Sequence, residues 1–129
     1  MPEVFVSRGA NVVPGPAGAM RAGGANTNGR YDFMVSTIPY LAGPPLHIHD
    51  DQDDAFLVLE GTLTVQVGDE LIDLGPGDFA SVPPGLAHTF SNINADQPPV
   101  RAINLMTPGG FDAYFGEMMQ PPRRPTRRP

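Results

Sequence analysis

The chain carries 3 histidines, His47, His49 and His88, and their placement suggests coordination of a cation. His47-Ile48-His49 sets two imidazoles two residues apart, and on extended backbone such residues project from one face with Cα atoms ~6.5–7 Å apart. Two ring nitrogens can therefore converge on one point. His88 arrives on a separate segment, Gly75 to Asn92, which reads as a strand, a Pro83-Pro84-Gly85 turn and a returning strand. Neutral imidazoles joined by a carboxylate supply three or four donors at ~2.0–2.2 Å and leave coordination positions open, as a reactive rather than a closed structural site requires. The acidic run Asp50-Asp51-Gln52-Asp53-Asp54 follows the histidine pair directly and feeds an apolar strand, Ala55 to Leu59, that stops at Glu60-Gly61.

These two blocks resemble the paired motifs of the cupin superfamily. The second motif spaces glycine, proline, glycine, histidine and asparagine at fixed intervals, and Gly77, Pro83, Gly85, His88 and Asn92 occupy every one. The first is met by His47, His49, Asp54 and Gly61, with two departures: aspartate stands where the pattern has glutamate, and Gly43 lies closer to His47 than the pattern places it. The flanking strands and the Thr107-Pro108-Gly109-Gly110-Phe111 segment are similar to those of small quercetinase-like cupins. The resemblance implies an all-β fold, the double-stranded β-helix or cupin jelly-roll barrel. It also implies one divalent transition metal ion (Fe, Mn, Ni, Zn or Cu) held by His47, His49, Asp54 and His88.

Aspartate is one methylene shorter than glutamate, ~1.5 Å of reach. Either the start of the strand moves inward, or a water completes the shell and Asp54 is left to act as the catalytic base. Asp53 is the competing acid, but on a regular strand it points away from Phe56 and Val58. Asp50 and Asp51 read as a solvated turn.

Strand parity predicts a pocket lined by Phe33, Val35, Phe56, Val58, Phe79, Phe90 and Met106, with Thr37 and Gln66 as polar contacts and Arg30, Tyr40 and Arg101 at the mouth. Such a lining suits a flat or aromatic molecule better than a sugar, which calls for more hydrogen-bonding groups.

Composition narrows the chemistry. There is no cysteine and no lysine, which removes thiolate ligands, a cysteine nucleophile and Schiff-base catalysis. The net charge is −6, and four of the eight basic residues, all arginine, fall at Arg123, Arg124, Arg127 and Arg128. The acidic body, residues 1–120, should repel nucleic acid. The segment 121–129 reads as an extended Pro/Arg-rich tail. No apolar stretch is long enough to span a bilayer, and the first residues lack a signal-peptide pattern, so a cytoplasmic protein without membrane contact is expected.

A chain of 129 residues fits one domain, expected over 1–120. Its 15 glycines and 16 prolines among alternating apolar segments argue for short strands joined by turns. Strands are expected at 31–40, 62–67, 70–74, 78–82, 87–92 and 100–106. Residues 15–30 read as a long loop, and Phe111, Tyr114, Phe115 and Met118 share one face of a short C-terminal helix. Both faces of the 31–40 strand are partly apolar, which suggests cover by another sheet or a second subunit, and a homodimer is expected.

The leading functional expectation from the resemblance is a dioxygenase-type oxidoreductase acting on an enolisable aromatic or diketone-like small molecule. The alternatives are an oxygen-independent cyclase or isomerase using the same metal, and a metallo-cupin that binds a small ligand without turnover.

Overall fold

The structure is a computed structural model describing residues 3–11 and 19–110. Eight strands make its framework: β1 (Met20–Ala22), β2 (Asp32–Ile38), β3 (Asp53–Glu60), β4 (Leu63–Val67), β5 (Glu70–Leu74), β6 (Phe79–Val82), β7 (His88–Ser91) and β8 (Val100–Thr107). They form two antiparallel sheets, one ordered β1-β2-β8-β3-β6 and the other β5-β4-β7. This is the expected jelly-roll arrangement. Strands alternate inward and outward residues, and the inward apolar set of both sheets makes the core between them. Ile38, Phe56, Val58, Leu63, Val65, Leu74, Val82, Val100 and Ala102 form that core, with Phe90 packed against it.

The register fixes which side chains face inward. β8 pairs with both β2 and β3, so Asp32, Met106 and Asp54 form one row across the sheet, and Met34, Asn104 and Phe56 form the next. Inward burial on β2 falls on Asp32, Met34 and Ile38. Phe33, Val35 and Thr37 therefore lie on the outer face, which corrects their assignment to the pocket. The cause is that β2 is apolar on both sides, so alternation alone does not select a face. Phe79 likewise points outward opposite Leu57 and is 64% exposed. Gln66 pairs with Leu71 and Thr89 while its neighbours Val65 and Val67 turn toward the core, so it too leaves the pocket. Phe56, Val58, Phe90 and Met106 retain inward positions. Tyr40 and Arg101 lie toward the Ile38–Val100 end of the sheet, away from Asp54, whereas Arg30 lies two residues before Asp32, at the Asp54 end.

The expected loop at 15–30 is more ordered than its glycine content predicts. Residues 15–18 lie outside the described residues, but β1 pairs with β2 and is followed by a single helical turn, α1 (Gly24–Thr27). Tertiary contacts override the weak local propensity here. The fully buried Asp32 accepts a hydrogen bond from the Gly24 N–H at 2.7 Å and from the Gly110 N–H at 3.1 Å. The two chain segments cross so closely that a Cβ on Gly24 would lie 2.6 Å from the Gly110 nitrogen. Only glycine permits such an approach. The expected helix at 111–118 and the tail at 121–129 lie outside the described residues. Among the described residues, no helix is long and apolar enough to cross a membrane.

Inward and outward apolar residues should differ sharply in their contribution to stability. Phe56→Ala, at a site 1% exposed, is expected to lower the unfolding free energy by ~3–5 kcal/mol. Leu71→Ala, at a site 63% exposed, should change it by no more than about 0.5 kcal/mol. Urea denaturation of the two variants measures both.

Candidate metal centre

The site is assembled by backbone pairing before any side chain is considered. His47 and His88 exchange both backbone hydrogen bonds at 2.9 Å, forming an isolated antiparallel bridge between segments far apart in sequence. Residues paired in this way carry their side chains on the same face of the ladder. The Gly85 N–H then donates to the His49 carbonyl at 2.9 Å, so the Pro83-Pro84-Gly85 turn braces the second histidine. The His47–His49 segment is extended as expected, yet it is stitched to β7 by these bonds and belongs to no named strand. Ile48, between the two imidazoles, points away and is 56% exposed. Gly43 has φ +152° and lies against the Phe90 carbonyl, where a Cβ would collide with that oxygen. This contact accounts for a glycine at the start of the first motif. Asn92, fully buried, donates to the Ile38 carbonyl at 3.2 Å and accepts from Gln97 at 2.6 Å, so its place in the second motif is structural.

The four candidate ligands do come together. His47, His49, Asp54 and His88 each offer a donor atom, and these atoms all lie within 4.8 Å of one another. The Oδ2 of Asp54 is 2.7 Å from His88 Nε2, 3.4 Å from His49 Nε2 and 3.9 Å from His47 Nε2. One carboxylate oxygen thus faces three imidazole nitrogens, and the shorter acid reaches them. Asp50 and Asp51 are exposed, as expected of a solvated turn, and Asp53, the first residue of β3, is exposed as well and stands outside the cluster.

Backbone carbonyls set the tautomers of two histidines. His47 Nδ1 lies 2.8 Å from the Pro45 carbonyl, and His88 Nδ1 lies 2.8 Å from the Leu86 carbonyl. A carbonyl oxygen can only accept, so Nδ1 carries a proton in both rings, and Nε2 is the nitrogen turned toward the centre, able to ligate a cation once it carries no proton. Such outer contacts orient ligands in metal sites.

Burial is uneven across the cluster. The side chains of His88 and Asp54 are 1% and 2% exposed, whereas His47 and His49 are 22% and 11% exposed. Access to the centre is therefore from the His47–His49 side. Burial by itself would raise the Asp54 pKa, but the facing imidazoles of His47, His49 and His88 and the Asn104 amide outweigh it and hold this carboxyl far below the usual carboxylate range. For His88, burial disfavours the charged ring, while the hydrogen bond and the charge of Asp54 and the Leu86 carbonyl together raise its pKa above 6.5. In the metal-free protein the Asp54 carboxylate thus favours a proton on His88. A divalent cation would take the place of that proton.

Asn104 is a site residue that the motif reading missed. It is 5% exposed, and its Nδ2 donates to Asp54 Oδ1 at 2.5 Å and to the Ala55 carbonyl at 2.9 Å. Its sequence signal was a single polar residue in the alternating inward series Val100, Ala102, Asn104 and Met106. The methionines Met20, Met34 and Met106 form a second, smaller apolar cluster in the same end of the barrel.

The sequence profile described as Cupin domain matches residues 34–106, more than half of the chain. The chain belongs to the cupin family. This cupin is 28% identical over 96 residues to the quercetin 2,3-dioxygenase of Bacillus subtilis (strain 168). The match takes in 74% of the chain but only 28% of that longer relative. Among solved structures it is similar to KdgF from Halomonas sp., with a TM-score of 0.61 and 21% identity over 73% of this chain and 79% of that one. A protein from Thermus thermophilus superposes with a TM-score of 0.57 and 28% identity, covering 62% of this chain and 74% of its own.

The pKa directions give a two-sided pH dependence for the metal-free protein. Asp54, depressed from 3.8, contributes stability that is present above its unfolded value and lost as pH falls toward its folded value. His88, raised from 6.5, contributes stability that is present below 6.5 and lost as pH rises through its folded value. Urea denaturation across this range should therefore show a maximum between the two reference values, and Asp54→Asn should flatten both flanks.

Proposed function

We propose that this cupin is a metal-dependent oxidoreductase of the dioxygenase type that acts on an enolisable aromatic or diketone-like small molecule. The observation that carries the reading is the convergence of the three imidazoles on one carboxylate oxygen, with all four donor atoms within 4.8 Å. A divalent transition metal held by such a set supplies Lewis-acid and redox chemistry. His47, His49 and His88 would hold it through Nε2, and Asp54 through Oδ2.

The donor set favours an oxyanion as substrate. Three neutral imidazoles add no charge and one aspartate adds a single negative charge, leaving a dication partly uncompensated. An enolate oxygen complements that balance, and the more exposed His47–His49 edge gives it a route of approach. Phe56, Phe90, Met34 and Met106 give the same end of the barrel an apolar surround suited to an aromatic or diketone framework. Asp54 is better suited to ligation than to base catalysis, because a carboxyl so strongly acidified is a weak proton acceptor. The distant likeness to a quercetin dioxygenase supports this direction.

Protein prepared without oxygen is expected to contain about one divalent transition metal ion per chain by elemental analysis, and His88→Ala should abolish that content. Oxygen uptake with flavonols and β-diketones then tests the reaction. Consumption of oxygen in step with substrate supports the proposal. Turnover that proceeds equally without oxygen assigns the site to cyclase or isomerase chemistry, and binding without turnover assigns it to ligand capture.

A further inference from the structure

The carboxylate of Asp54 has two oxygens, and they face different partners. Oδ2 is turned toward the three imidazole nitrogens, and Oδ1 accepts the Asn104 hydrogen bond. Asn104 stands opposite Phe56 in the β3–β8 ladder and reaches Asp54 along the diagonal, a separation that polar side chains can bridge. Its own orientation is fixed because the same nitrogen also donates to the Ala55 carbonyl, which can only accept.

We infer that Asn104 is a positioning residue that commits Asp54 to hold the metal through Oδ2 alone. The inference rests on the reading of His47, His49, Asp54 and His88 as a metal centre. An aspartate carboxylate swivels about a broad, two-fold terminal torsion. A hydrogen bond from a neutral donor to a charged oxygen is strong enough to choose one orientation. With Oδ1 held by Asn104, a bidentate mode would require breaking that bond inside the barrel, where both side chains are at most 5% exposed. The same bond compensates for the missing methylene, since a short acid that turned away would present neither oxygen to the imidazoles.

The test is a cycle of variants read by zinc affinity, using competition with a chromophoric chelator. Asn104→Leu keeps the volume and removes the donor, and it is expected to weaken zinc binding ~10–100-fold. Because both residues act through one contact, the double variant with Asp54→Ala should bind zinc within about threefold of Asp54→Ala alone. The visible absorption of the cobalt-loaded protein should change on Asn104→Leu, reporting an altered ligand set that a purely structural role would leave unmoved. Circular dichroism checks folding of the metal-free variants, and if the leucine variant is unfolded, Asn104→Ser is expected to give the same loss.

The inference is overturned if Asp54→Ala weakens zinc binding while Asn104→Leu does not. Losses that multiply in the double variant, or an unchanged cobalt spectrum, also overturn it. An Asp54→Ala variant with wild-type zinc affinity removes Asp54 from the metal centre, and this inference falls with it. A wild-type protein that takes up no divalent ion instead defeats the reading of the site as a whole.

Discussion

The reciprocal backbone hydrogen bonds between His47 and His88 are the constraint on which the site depends. They join a connecting segment to the first residue of β7 and thereby place two imidazoles side by side with no help from side-chain packing. His49 follows because extended backbone returns to the same face after two residues, and the Gly85 N–H holds it there. Asp54 completes the cluster from the opposite sheet, where β8 and β6 fix it between Met106 and Val82. The chemistry-bearing groups thus come from both layers of the barrel. Their convergence is a property of the closed fold and not of any one strand.

The Asp54–His88 pair shows how burial and pairing compete at this centre. Removing a carboxylate from water costs free energy unless donors replace the lost hydration. Here the imidazoles and the Asn104 amide supply those donors, and the balance falls on the side of the ionised acid. The upward shift of the His88 pKa is the reciprocal of that balance. A cation can substitute for the proton with little rearrangement, because the nitrogen lone pairs and the carboxylate oxygen already face a common point.

Much of this was legible in the sequence because the signals were local. The two-residue spacing of His47 and His49, the Pro-Pro-Gly turn before His88 and the six-residue run from Asp54 to Gly61 are short-range patterns. The strands around them followed from alternation and turn residues. Parity was less accessible. β2 offers Phe33 and Val35 on one side and Met34 and Ile38 on the other, and only its pairing with β8 shows which side is enclosed. Phe79 misled for the same reason, as a large apolar residue on an outward position of β6. Asn104 stayed hidden because its meaning lies in a contact across 50 positions of sequence. The order within residues 20–27 was obscured by glycines whose value is close approach, visible only once Gly24 and Gly110 are seen to cross.

The apolar core runs up to the candidate metal site through Phe56 and Val82, and on β8 its members Val100 and Ala102 lie farther along the strand, away from Met106. Leu63, Val65, Val100 and Ala102 belong to the core cluster and make no part of the four-residue cluster beside Met106. Mutational drift among these core positions would then tune how firmly the scaffold holds together while sparing the geometry of the donors. At these positions fold stability and donor geometry become separately heritable traits, each open to selection on its own.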